Sequence, residues 1–154
     1  MAILIGFNHV SVAVSNLDKA LAFYRDLLGM TLIREVPPGP PAPNPDFERV
    51  FNCPGLQMKN CLLRAGGPMN PIALELTYWE NPKSGPIPDQ KPWQLGFHSL
   101  CLRVDDVDAL YQKLSAAGVP FLTPPVTSTP PRPPWRAVFC NDPDGNVVEL
   151  LQTF

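Results

Sequence analysis

The chain contains the same sequence pattern twice. Residues 7–21 and residues 96–110 each combine a strand of alternating apolar residues, a short polar turn and the start of an amphipathic helix. The two copies align at a constant offset of 90 residues, which pairs Val10 with Leu100. A repeat of this kind predicts two structurally equivalent modules in one protein.

The pattern that follows each copy predicts the same order of elements, β-α-β-β-β. Ser15 and Asp18 form a weak capping box for the first helix, whose apolar stripe stops at Gly29; the second helix ends at Gly118. The other predicted elements are a helical turn at 46–51 and strands at 30–36, 56–64, 72–78, 120–123, 135–140 and 147–152. We therefore predict an α+β fold in which two βαβββ modules pair their mixed sheets around a cleft. The single domain spans residues 1–154, with module 1 at about 5–80, a linker at about 81–95 and module 2 at about 96–154.

Composition excludes several classes of function. A chain of 154 residues with 45% hydrophobic content is long enough to fold without a staple. The net charge of −2 argues against a nucleic-acid partner. No apolar run reaches the roughly 18 residues of a membrane span, and the short apolar start does not resemble a signal peptide. With four cysteines and no CxxC pair, we expect a cytoplasmic protein with reduced thiols.

Three ionisable residues share the strand face that points away from the helices. Alternation along the strands places His9, Glu75 and Glu149 on that face. A carboxylate on a buried face is costly unless it is paired, hydrogen-bonded or bound to a metal. Each glutamate considered alone could as readily be a residue at the rim of the cleft or the partner of an arginine as a metal ligand. Because the two glutamates occupy matching positions in the repeats, the set favours a divalent-cation site.

Three segments carry a resemblance to a known family. Residues 9–29, residues 74–78 and residues 142–150 resemble the vicinal oxygen chelate superfamily, which includes glyoxalase I, methylmalonyl-CoA epimerase, extradiol dioxygenases and bleomycin-sequestering proteins. The resemblance implies a divalent ion (Ni, Zn, Mg, Mn or Fe) held by His9, Glu75 and Glu149. It also implies catalytic roles for the two glutamates, with Glu149 moving a proton, and a small-molecule substrate. We expect a homodimer.

The fourth ligand is either His98 or the position taken by Ser99. The offset of 90 pairs His9 with Ser99, and strand alternation turns His98 toward the helix. The ends of the two helices favour pairing His9 with His98 instead, because each histidine precedes the glycine that ends its helix, Gly29 or Gly118, by 20 residues. A bulge at this point would turn the imidazole of His98 into the cleft.

Further candidates for substrate binding share the face of Ser99 or flank the cleft. Cys101 is more consistent with a small packed residue than with a nucleophile, and Arg103 suits either a glutamate or an anionic substrate group. Trp93 is as consistent with capping the cleft as with packing on the sheet. The proline-rich loops at 37–45 and 124–134 would form the rim of the pocket, although such loops can also bind partners as polyproline II segments.

These observations support three hypotheses for function. The first is a metal-dependent lyase, isomerase or epimerase that transfers a proton next to a chelated carbonyl. The second is a metal-free protein that binds a small molecule, or a metal-free enzyme, in which Ser99 replaces a ligand because no ion is held. The third, an iron-dependent ring-cleaving dioxygenase, needs two histidines and one carboxylate and therefore requires an inward His98.

Overall fold

The chain forms two compact units, Met1–Gly85 and Pro86–Phe154. The computed structural model describes residues 3–4, 6–66, 70, 72–87 and 95–154. Each unit contains one sheet with parallel and antiparallel pairs together with its own helix, which confirms the α+β class and the repeated order of elements. Across these described ranges, no helix has the length and apolar character needed to cross a membrane.

The first unit is built on a five-stranded sheet in the order β1-β5-β4-β2, with β3 paired to β4. Its strands are β1 (His9–Ala13), β2 (Thr31–Arg34), β3 (Ala42–Pro43), β4 (Gln57–Arg64) and β5 (Ala73–Asn81). Its helices are α1 (Leu17–Leu21), which continues as a π-helix over Ala22–Leu27, and α2 (Pro45–Phe51). Strands β1 and β5 run parallel, whereas β4 is antiparallel to both β5 and β2.

The second unit is built on a four-stranded sheet in the order β6-β9-β8-β7. Its elements are β6 (Leu100–Arg103), α3 (Val107–Ala116), β7 (Val126–Thr127), β8 (Trp135–Asn141) and β9 (Val147–Thr153). Strands β6 and β9 run parallel, as β1 and β5 do, and β8 is antiparallel to its neighbours β7 and β9. The parallel pair therefore joins the first and last strands of each unit.

One face of each sheet carries the core. On β5, Leu74 and Leu76 are 3% and 0% exposed, and on β9, Val148 and Leu150 are fully buried. Alternation places the residue between each buried pair on the opposite face. The helices cover the apolar faces, so each sheet presents one glutamate on its other side.

The first helix differs from the prediction in its cap and in its second half. The side chain of Asn16, not that of Ser15, accepts the hydrogen bond from the backbone of Lys19. The wider turns of the π-helix bring consecutive aromatic residues inward, and Phe23 and Tyr24 are 3% and 0% exposed.

The predicted strand at 120–123 is replaced by a single bridge between Phe121 and Cys140. The regular strand lies later, at Val126–Thr127. Prolines at 120, 124 and 125 remove the backbone donors that a continuous ladder would need, so pairing with β8 resumes after them.

Candidate functional site

Glu75 is the centre of a polar cluster on the open face of the first sheet. Its Oε1 accepts hydrogen bonds from Asn60 Nδ2 at 2.8 Å and from Arg34 Nη2 at 3.1 Å. Its Oε2 accepts a hydrogen bond from Ser11 Oγ at 2.7 Å. The Glu75 side chain is 15% exposed, so these donors replace most of the water that it would otherwise bind.

Strand register brings these donors to Glu75 from three other strands. Ser11 on β1 lies beside Glu75, and on the other side Glu75 lies beside Leu62 of β4. Arg34 of β2 pairs with Leu62 and reaches across β4 to the carboxylate. Asn60 lies two residues before Leu62 and therefore shares its face.

His9 lies on the same face, two residues before Ser11. Its Nε2 is 3.6 Å from Glu75 Oε2, and its Nδ1 is 2.8 Å from Asn8 Oδ1. In the tautomer that protonates Nδ1, this nitrogen donates to Asn8 and leaves the Nε2 lone pair directed toward Glu75. A hydrogen bond from one ring nitrogen to an oxygen acceptor is the usual way in which proteins orient a metal-binding imidazole.

Three members of this cluster, Ser11, Asn60 and Arg34, were not among the residues predicted for the site. For Ser11 and Asn60 the signal was present, because strand alternation puts both on the face of Glu75. Arg34 carried no such signal, since the register of β2 shifts between Leu32 and Arg34. The shift places Arg34 on a face that simple alternation would not assign to it.

Glu149 occupies the equivalent position in the second unit. It lies on β9 between Cys101 of β6 and Phe139 of β8. Partial removal of the Cys101 thiol from water, together with the charge and hydrogen bond of Glu149, raises the pKa of Cys101 to about 11. The thiol of Cys101 therefore stands in the same relation to Glu149 as the hydroxyl of Ser11 does to Glu75.

His98 and Ser99 lie just before β6, which begins at Leu100. The alternation of the strand therefore does not extend to them. The His98 ring is 5.9 Å from the ring of Phe139, the residue that pairs with Glu149 on β8. The His98 side chain thus lies near the face that carries Glu149.

The other predicted substrate-binding residues are placed as follows. Arg103 is exposed and pairs with Leu151 of β9, which puts it on the face of Cys101 and Glu149. Trp93 lies outside the described residues.

The donor set of the first unit fits a divalent ion. Two ligands at about 2.1 Å from one tetrahedral ion are about 3.4 Å apart, close to the 3.6 Å between His9 Nε2 and Glu75 Oε2. Glu75 Oε1 is held by Asn60 and Arg34, as the second oxygen of a ligating carboxylate commonly is. Among the residues that the structure describes, no group of three or more His, Cys, Asp and Glu lies close enough to hold a metal. The first unit thus offers two donors.

The sequence matches a known family over almost its whole length. Residues 6–150 match the model of the glyoxalase/bleomycin resistance protein/dioxygenase superfamily. The chain belongs to this superfamily, and the resemblance to the vicinal oxygen chelate proteins is confirmed.

Individual relatives include enzymes. The chain is 29% identical to a probable lactoylglutathione lyase of a Synechocystis species, covering 94% of this chain and 93% of the relative. It is 30% identical to human mitochondrial methylmalonyl-CoA epimerase, covering 94% of this chain and 72% of the relative.

Solved structures share the fold. A glyoxalase family protein from Bacillus cereus has a TM-score of 0.79 at 20% identity, covering 99% of this chain and 97% of the other. Glyoxalase I of Leishmania major has a TM-score of 0.64 at 22% identity, covering 96% and 86%. At these identities the likeness concerns the fold alone.

Proposed function

We propose that this protein is a metal-dependent enzyme of the lyase, isomerase or epimerase type. It would transfer a proton at a carbon next to a carbonyl group of a small-molecule substrate. The observation that carries the proposal is the pairing of His9 Nε2 with Glu75 Oε2 on one open sheet face. The enzymatic names of the lyase and epimerase relatives support the same class of reaction.

The proposed ligands are His9 and Glu75 from the first unit and Glu149 and His98 from the second. The placement of His98 near the face of Glu149 supports its inclusion rather than that of Ser99. We propose that the active form is a homodimer. A bound divalent ion would act as a Lewis acid on adjacent substrate oxygens and so make the neighbouring C–H bond more acidic.

The side chains of the protein would then carry the proton and hold the substrate. Glu149 is the proposed base that removes the proton and returns it, with Glu75 as a second carboxylate able to take part. Cys101 lies beside Glu149 on the neighbouring strand and would hold the carboxylate in place by donating a hydrogen bond to it. Arg103 would bind an anionic group of the substrate, and Ser99 and Trp93 would line its binding surface.

A second candidate is a metal-free protein that binds or converts a small molecule. It is favoured by one observation, the guanidinium of Arg34 at 3.1 Å from Glu75 Oε1. That positive charge already compensates the carboxylate, which removes one reason to require an ion. In this case the polar cluster around Glu75 would bind substrate groups directly.

The first experiment measures metal content and proton transfer together. Protein purified without a histidine tag is incubated with Ni, Zn, Mg, Mn or Fe, and bound metal is quantified by mass spectrometry. Turnover is followed in D₂O with the hemithioacetal of glutathione and methylglyoxal and with methylmalonyl-CoA, since deuterium incorporation reports the proton step. With Fe, oxygen uptake with catechol is also recorded.

We expect near-stoichiometric metal in the wild type and loss of both metal and deuterium incorporation in His9→Ala. Glu149→Gln should lose deuterium incorporation, with Glu35→Gln as the matched exposed control. If no ion binds under any condition, the metal-dependent proposal is wrong and the second candidate takes its place. Full activity in His9→Ala would also contradict it.

A further inference from the structure

A groove lies beside the Glu75 cluster within the first unit. It is formed by the proline-rich segment between β2 and α2, by the start of α2 and by the beginning of β4, and its volume is about 280 Å³. Apolar cavities of about 150 Å³ are large enough to bind benzene. The groove could therefore accommodate an aromatic ring together with a short connecting chain.

Most of the residues that line the groove are apolar. Five prolines of the segment 37–43 contribute to it, together with Ala42, Phe47 and Met58. The polar residues of the lining are Asn44, Lys59 and Asn60. The side-chain oxygen of Asn44 already caps α2, accepting hydrogen bonds from Asp46 N and Phe47 N. The wall of the groove consists mainly of the pyrrolidine rings of proline, a phenyl ring and a thioether.

The wall is preformed rather than adaptable. Each proline ring fixes its own φ angle, so the segment loses little further freedom when a ligand binds. Phe47 packs within a row of aromatic rings. Its ring centre lies 6.3 Å from that of Phe51, and the ring of Phe51 packs edge-to-face on Trp79 at 5.1 Å. A preformed wall of rings favours a rigid, flat ligand over a flexible chain.

Asn60 connects the groove to the Glu75 cluster. It lines the groove and donates a hydrogen bond to Glu75 Oε1 at 2.8 Å. Met58 lies two residues earlier on β4 and shares its face, and Lys59 between them also contributes to the lining of the groove. A molecule whose polar end contacts Glu75 can therefore extend its other end into the groove.

We propose that this groove binds an uncharged aromatic group carried by the ligand of the Glu75 cluster. The affinity of the groove for an aromatic ring is independent of any reaction. Its use as a substrate subsite rests on the function proposed above, and the experiments below separate the two.

The first test measures binding of 4-fluorobenzyl alcohol by fluorine NMR. Ala42 shares the face of its β4 partner Met58 and lines the groove, so Ala42→Leu should fill it. We expect millimolar binding to the wild type and affinity reduced about tenfold or more in Ala42→Leu. Ala116→Leu, the same change on the exposed surface of α3, should bind as the wild type does.

Phe47→Ala provides a second variant in case Ala42→Leu disturbs the pairing of β3, and thermal melts verify that each variant is folded. Phe47→Ala should also weaken binding, because it removes the aromatic wall. Absence of binding to the wild type, or wild-type affinity in both groove variants, would overturn the proposal.

The second test links the groove to turnover. Glutathione hemithioacetals of phenylglyoxal and methylglyoxal differ in carrying a phenyl or a methyl group. Ala42→Leu should raise KM for the phenyl substrate about tenfold and leave that for the methyl substrate unchanged. Aromatic binding without turnover of either compound would contradict the proposed function and leave the groove assignment standing.

Discussion

Arg34 donates a hydrogen bond to the carboxylate of Glu75 from two strands away, with Nη2 at 3.1 Å from Oε1. The Arg34 side chain is 49% exposed, whereas that of Glu75 is 15% exposed. This pair places a permanent positive charge beside the carboxylate that we propose as a metal ligand. Its effect on metal binding distinguishes the two candidate functions.

Arg34→Met should lower the free energy of unfolding by about 1 kcal/mol, because Arg34 is half exposed and water screens its charge. Added Zn²⁺ or Ni²⁺ should then raise the melting temperature more in Arg34→Met than in the wild type, since the ion no longer meets a neighbouring guanidinium. Thermal melts with and without metal measure both effects. Arg132→Met, which replaces an exposed arginine in the loop before β8, is the control. Equal metal responses in wild type and Arg34→Met would contradict the electrostatic argument.

The equivalence of Ser11 and Cys101 leads to a second prediction. Each side chain donates to the glutamate of the neighbouring parallel strand, so Cys101→Ser should retain the hydrogen bond and preserve metal affinity. Cys101→Ala should lose it and weaken metal binding about tenfold, as loss of a partner to a metal ligand usually does. Isothermal titration with Zn²⁺ measures both. A loss of Zn²⁺ affinity in Cys101→Ser as large as in Cys101→Ala would contradict the equivalence of the two side chains.

Much of the architecture could be predicted because strand alternation has a period of two. That period separated Leu74 and Leu76 from Glu75 without knowledge of any contact, and the repeat transferred the same argument to Glu149. The antiparallel pairing of β8 with β9 followed from the turn residues 142–146. Such features depend on local geometry, which the sequence encodes directly.

Other features depend on register and could not be predicted in this way. No turn residue or glycine in the sequence of β2 indicates the register shift that brings Arg34 to Glu75. The position of His98 depends on where β6 begins, and a difference of one residue there reverses the assigned face. The hydrogen-bond partners of Glu75 come from three other strands, so predicting them required the full strand order of the sheet.

The ion pair between Asp108 of α3 and Arg136 of β8 should make stability depend on pH. Arg136 donates to both Asp108 oxygens at 2.7 and 2.8 Å, and this hydrogen bonding and charge lower the pKa of Asp108 from its ordinary 3.8. Because the folded-state pKa is depressed, the contribution is present above 3.8 and is lost as pH falls through the folded-state value.

Asp108→Asn tests this contribution. Its melting temperature should lie a few degrees below that of the wild type at neutral pH, and the difference should shrink to zero as the pH is lowered below 3.8. Melts recorded across this range for both proteins give the difference directly. A difference that stays constant with pH would show that the change acts through packing or helix geometry rather than through the charge.

Asp142 organises the turn that leads from β8 into the strand of Glu149. It is 3% exposed, and its Oδ1 accepts hydrogen bonds from Asp144 N at 3.0 Å and Asn146 N at 2.8 Å. Its Oδ2 accepts a hydrogen bond from Asn146 Nδ2 at 2.8 Å. Asp142→Ala would leave these donors without their acceptor in a part-buried turn and should lower the free energy of unfolding by about 1–3 kcal/mol.

Asp142→Asn should cost less, because its remaining carbonyl oxygen can still accept from the backbone of Asp144 and Asn146. Chemical denaturation followed by tryptophan fluorescence measures both variants, since Trp135 lies on β8, the strand that leads into the turn, and Gln112→Ala serves as an exposed control. Equal losses in Asp142→Asn and Asp142→Ala would indicate that the negative charge, rather than the acceptor geometry, holds the turn. An unchanged free energy in Asp142→Ala would show that the proline and glycine of residues 142–146 are sufficient to form it.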